Sequence, residues 1–276
     1  MQVEVNRVQK NKGVEKLAYE TIELTVKDRQ AVLTLKRPEA LNAMNEVMLQ
    51  ELADCFEQLQ EEKNVQVLVL KGDGRAFSSG GDIKMMLQKD KIEDFHGIMD
   101  IISRMATAYY QLPMITIAQV HGAAAGLGFS LAIASDFVIA EENSKLAMNF
   151  IGIGLIPDGG GHFFMKERVG IPKAKQIIWE GKIMNGEEAQ KLGLIDVVVK
   201  EGEAEPYVQE MVKKLLSSPI LAMLETKKIY HSERIEELKN ILDQELVAQT
   251  KMRQTKDHLE GIKAFVEKRA PQFAGQ

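Results

Sequence analysis

Short aliphatic and β-branched runs alternate along the chain with longer stretches whose apolar positions recur every three or four residues. "AVLTLKRP" (31–38) and "VQVLVLKGDG" (65–74) read as strands closed by Pro or Gly. Between them, residues 45–64 place apolar side chains on one helical face and Glu and Lys on the other, completing a strand–helix–strand unit. Residues 92–111 predict a further helix, and "MITIAQVHG" (114–122) and "DFVIAEE" (136–142) two more buried strands. The segment between those strands, "AAAGLGFSLAIAS" (123–135), is rich in small residues and predicts a helix packed tightly in the core. Residues 1–17 are polar and aperiodic and read as a loose extension.

The texture changes after residue 171. Helical periodicity runs through 172–180, 186–192, 205–216, 218–230, 234–251 and 254–269, interrupted by one strand-like "IDVVV" (195–199). The chain of 276 residues therefore divides into a polar extension (1–17), an α/β core (18–200) and a helical region (201–276).

Charge and cysteine content narrow the partners. A net charge of −5 supplies no basic field for nucleic acid or an anionic membrane. One cysteine, Cys55, excludes an internal disulfide framework and suits a reducing cytoplasm. The five histidines show no metal-binding spacing, so no metal is expected. No run approaches eighteen apolar residues, and the polar N-terminus does not look like a secretory leader. Trp179 and most methionines read as core, with Met85, Met86 and Met105 as candidate lining of an acyl pocket.

Three glycine clusters follow strands: "KGDGRAFSSGGDIK" (71–84), "HGAAAGLG" (121–128) and "PDGGGH" (157–162). None fits the GxGxxG or Walker A fingerprints, so a nucleotide cofactor is not indicated. Glycine turns serve tight packing, but they also let a ligand approach the main chain, where two N–H groups converging on one oxygen form an oxyanion hole. In the third cluster Asp158 ends an apolar run and faces three glycines. Its carboxylate has two readings: a cap for the following helix, or a group that carries protons.

Six motifs, in order, resemble the crotonase superfamily of enoyl-CoA hydratases and isomerases: "RPEALNAMN", "AFSSGGDIKMM", "HGAAAGLG" with "ASDFVIA", "IGLIPDGGG", "EEAQKLGLIDVVV" and "EGIKAFVEKRAPQF". Together they span about residues 20–272. The resemblance implies an α/β fold, a spiral of ββα units with a C-terminal helical oligomerisation region that forms a homotrimer or a hexamer. It implies an acyl-CoA thioester as substrate and no separate cofactor. Carried over by motif, the oxyanion donors are the backbone N–H groups of Gly81 and Leu127. Members usually have glycine where Leu127 stands, so its side chain must turn away from the thioester. Ala40 and Leu41, and the stretch Ser79, Gly81, Asp82, Ile83 and Lys84, match segments that contact CoA. Phe265 and Lys268 match a C-terminal helix that reaches the nucleotide end of CoA; local pattern alone reads Phe265 as core and Lys268 as a solvated face.

The general base selects the reaction. Hydratases of this family hold a water between two glutamates, and those positions here are Ser130 and Phe150. Neither side chain can activate water near neutral pH, and Phe150 makes the pocket apolar. Several isomerases place an acid at the position of Asp158, where one carboxylate suffices to move a double bond. The resemblance therefore implies an enoyl-CoA isomerase with Asp158 as proton shuttle. Its alternatives are a hydratase with a non-standard water site and a non-catalytic acyl-CoA binder. An aryl-CoA dehalogenase, with Asp158 as nucleophile, fits less well because Phe150 replaces the tryptophan expected there.

Overall fold

A computed structural model describes residues 6–11, 14–83 and 92–276. Its main sheet has eight strands in the order β1(Asn6–Asn11), β2(Val14–Ala18), β3(Ile22–Lys27), β4(Gln30–Leu35), β5(Val67–Gly72), β6(Ile115–Val120), β8(Phe137–Glu141) and β10(Val197–Val199). The first four pair antiparallel; from β4 onward every pairing is parallel. A two-stranded parallel ribbon, β7(Ala123–Ala125) with β9(Lys145–Ala147), stands apart from it.

The central strands are mostly apolar on both faces because helices cover both. Leu68 and Leu70 of β5 point into the larger core with α1(Glu46–Gln60) and α2(Ile92–Tyr110), while Val67 and Val69 meet Val208, Val212 and Leu215 of α6(Ala204–Leu216) on the opposite side. Asn45 caps α1 by accepting the Met48 N–H at 3.0 Å. The other helices are α3(Leu127–Ile133), α4(Gly161–Glu180), α5(Gly186–Leu192), α7(Ile220–Arg253) and α8(Lys256–Val266).

Several sequence expectations need correction. The polar extension is not loose over its described part: β1 and β2 form a hairpin that continues the sheet from β3. Backbone pairing at a sheet edge does not require apolar side chains, which is why hydropathy missed it. The helix expected over 123–135 starts only at Leu127, after β7. The helix expected at 172–180 is the second half of α4, which begins at Gly161 and breaks at Gly170 (φ 72°, ψ 158°), just before Pro172. The two helices expected at 218–230 and 234–251 are one, α7. Trp179 is not core: it is 64% exposed, with Lys175 over its ring. Met105 is buried in the core but does not line the cavity described below; Met85 and Met86 lie outside the described residues.

Candidate active site

The loop after β5 is laced to the entry of α3. Ser78 donates its N–H to Ala123 O (2.9 Å) and accepts the Ala125 N–H (3.0 Å). A Cβ on Gly80 would lie 2.6 Å from Ala125 O and 3.4 Å from Leu127 N, so only glycine allows these two backbones to touch. Gly81 and Leu127 consequently border the same cavity. Among the described residues neither amide N–H has a hydrogen-bond partner. Leu127 is the first residue of α3, where a helix leaves its N–H groups free.

That cavity, about 40 Å³, is also bordered by Phe150, Asp158, Gln249, Arg253 and apolar side chains of α1 and α2. Asp158 is its only carboxylate among the described residues. The side chain is 6% exposed. Its Oδ2 accepts from Gln249 Nε2 at 3.2 Å, and its Oδ1 has no partner among the described residues. Burial is the main cause that pushes its pKa up, to about 8; the nearby charge of Glu245 adds to the rise, and the Gln249 hydrogen bond opposes it.

Asp158 does not cap α4. Glu245, buried on α7, does so from across the core: its carboxylate accepts the N–H groups of Gly160 (2.8 Å) and His162 (3.1 Å), and His162 Nδ1 lies 2.8 Å from Glu245 Oε1. The three glycines after Asp158 make room for protein. A Cβ on Gly159 would sit 2.4 Å from Leu127 Cδ1; one on Gly160 would strike Phe164 and Leu238; one on Gly161 would strike Ser130 Oγ and Pro157. The Leu127 side chain thus folds over Gly159 and is turned into the protein.

The remaining sequence-predicted residues fall into two groups. Ala40 ends a 3-10 turn and Leu41 follows in the left-handed region (φ 52°). Leu41 O accepts the Ser79 N–H (2.9 Å), and Ser79 Oγ lies 3.4 Å from Ala40 O. Asp82 pairs with Arg37 at 3.1 Å, and Ile83 is half-buried beside it; Lys84 lies outside the described residues. Among the described residues of this stretch only Gly81 borders the cavity. Phe265 and Lys268 do not reach the cavity: both are exposed at the end of α8, and Phe265 is 57% exposed, not core. Their helix is fastened beneath the site by His258, whose Nδ1 lies 2.8 Å from Ile153 O in the turn that begins at Phe150.

The model of the enoyl-CoA hydratase/isomerase family matches residues 26–276. The chain belongs to that family. YhaR of Bacillus subtilis (strain 168), which carries the family's double name, is 49% identical over 88% of this chain and 94% of its own length. The 1,2-epoxyphenylacetyl-CoA isomerase of Escherichia coli (strain K12) is 32% identical over 88% of this chain and 94% of its own. The crystal structure of an enoyl-CoA hydratase from Mycobacterium avium subsp. paratuberculosis K-10 superposes with a TM-score of 0.84 at 32% identity, covering 93% of this chain and all of the other. This acyl-CoA enzyme has the crotonase fold.

Sequence reasoning missed Glu245 and Gln249. The signal was present: Leu238, Leu242, Glu245 and Gln249 are all buried on one side of α7, so two polar residues occupy core spacing. In a helix read by itself, a Glu and a Gln four residues apart look like an exposed face.

Proposed function

We propose that this enzyme is an enoyl-CoA isomerase with Asp158 as the proton shuttle. The observation that carries the reading is a buried aspartate whose Oδ1 has no partner among the described residues, in a cavity that Gly81 and Leu127 also border. With a 3-enoyl-CoA bound, the Asp158 carboxylate takes the proton from the α-carbon. The C–H electron pair moves into the thioester, and the two N–H groups stabilise the resulting enolate oxygen. The same proton returns at the γ-carbon, so the double bond moves to C2 and nothing is consumed. No cofactor besides the CoA thioester itself is called for. Losing one oxyanion donor typically costs about 3–4 kcal/mol of transition-state stabilisation.

Phe150 supports this reading over hydration, because the resemblance assigns a hydratase carboxylate to this position and the residue here is apolar and borders the cavity. Apolar side chains left exposed on α7 and α8, among them Leu221, Ile229, Tyr230, Val247 and Leu259, support a homo-oligomer, in keeping with the trimer or hexamer the resemblance implies.

The test offers 3-enoyl-CoA and 2-enoyl-CoA separately and follows bond migration and water addition. Isomerisation that disappears in Asp158→Asn is the expected result. Water addition that persists in Asp158→Asn would establish hydration instead, and tight acyl-CoA binding with neither conversion would make the chain a binder.

A further inference from the structure

We infer that Gln249 is a positioning residue for Asp158, held by the protein as an obligate hydrogen-bond donor; the inference rests on the isomerase reading above. Gln249 is buried on α7 and borders the cavity. Its Nε2 donates twice, to Ile156 O at 2.8 Å and to Asp158 Oδ2 at 3.2 Å. Both protons of the amide nitrogen are thereby used. Its Oε1 has no partner among the described residues. Turning the amide over would set Oε1 against the Ile156 carbonyl and the carboxylate, two contacts between acceptors. The Ile156 carbonyl therefore fixes which end of the amide Asp158 meets.

Two consequences follow for the acid. The bond to Oδ2 holds the carboxyl plane, leaving Oδ1 as the oxygen that gives and receives the proton. A donor that stays a donor favours the ionised form, which offsets part of the burial and the Glu245 charge that work against it. The same amide ties down the main chain two residues before Asp158, so side chain and backbone share one anchor. Among the described residues, the other titratable groups facing this region are Glu245 and Arg253 of α7 and His162 of α4, which is engaged with Glu245.

The experiment measures the pH dependence of kcat/KM for 3-enoyl-CoA isomerisation in the full-length enzyme and in Gln249→Met. Loss of the donor should raise the midpoint of the rising limb by about one pH unit and lower the rate at pH 7 about tenfold. Gln249→Asn keeps an amide in the cavity but falls one methylene short of Asp158; it serves if the methionine variant does not fold and should shift the midpoint in the same direction. A purely structural role would lower the plateau and leave the midpoint in place, and that result would overturn the inference. Failure of the underlying reading looks different: Asp158→Asn would then retain isomerisation whatever Gln249 does.

Discussion

The Glu245 carboxylate accepts the Gly160 N–H at 2.8 Å, and this single contact decides what Asp158 is free to do. An aspartate before three glycines is well placed to close the helix that follows. Here a glutamate from α7 takes that place, and the Asp158 side chain accepts a hydrogen bond from Gln249 instead. Glu245 also tethers α7 to α4 by the main chain of Gly160 and His162.

Glu245→Gln separates these two effects. It keeps one oxygen for capping and removes the charge. Without a neighbouring negative charge Asp158 ionises more easily, so the midpoint of the kcat/KM profile should fall below about 8. Glu245→Ala removes both effects and should also destabilise the fold by about 1–3 kcal/mol, the range for leaving buried N–H groups unpaired. Urea denaturation together with a pH–rate profile reads both. A midpoint that does not move in Glu245→Gln would show that its charge is not felt at Asp158.

The raised pKa of Asp158 also has a thermodynamic signature. The carboxyl ordinarily ionises at 3.8, and in the folded chain at about 8. Between these values the native state holds a proton that the unfolded state has released. Stability therefore falls as pH rises across that window; the penalty is absent below the lower value and complete above the upper one. Asp158→Asn cannot ionise and escapes it. We expect the variant to exceed the wild type by several kcal/mol at pH 9, with the two curves converging by pH 4. Parallel curves from chemical denaturation across pH 4–9 would contradict this.

Much of this arrangement can be read in the sequence, and the gaps have physical causes. β5 and β6 announce themselves because both faces are buried and their residues are mostly aliphatic and β-branched. The residues 186–192 match α5 because Asn185 and Glu188 form a complete capping box at its start. Gly81, Leu127 and Asp158 lie in glycine-rich turns, where chemistry and tight packing leave the same composition, and Phe150 stands out only through the family resemblance. What was hidden is long-range. The partner of Asp158 is Gln249 and the cap of α4 is Glu245, and no local pattern links helix α7 to a turn so distant in sequence. The N-terminal hairpin was hidden because polar strands at an edge carry no hydropathy signal.

Leu127 sets a size limit. The residue is buried and borders a cavity of about 40 Å³. That volume holds one or two waters, so the acyl group needs side chains to move or must remain slim near the reacting carbons. Leu127→Ala keeps the backbone N–H and enlarges the space. We expect kcat/KM to shift toward bulkier acyl chains, by about tenfold for each additional buried methylene or two, in a panel of linear and branched 3-enoyl-CoA thioesters. An unchanged preference order would place the size limit elsewhere, at Phe150 or Met99.

Gly159 and Leu127 should behave as one packing unit. Gly159 has φ +62°, and a methyl group there would lie 2.4 Å from Leu127 Cδ1. Gly159→Ala therefore suffers twice, from a backbone conformation that alanine resists and from a collision with a buried side chain. The first cost is about 1–2 kcal/mol and the second about 1–3 kcal/mol. Leu127→Ala removes the branch that collides, so the double variant should regain the second cost but not the first. A thermodynamic cycle over the two single variants and the double variant isolates that difference as a coupling energy of about 1–3 kcal/mol. Additive costs would mean that Leu127 rotates clear of position 159, and its side chain could then not be what these glycines accommodate.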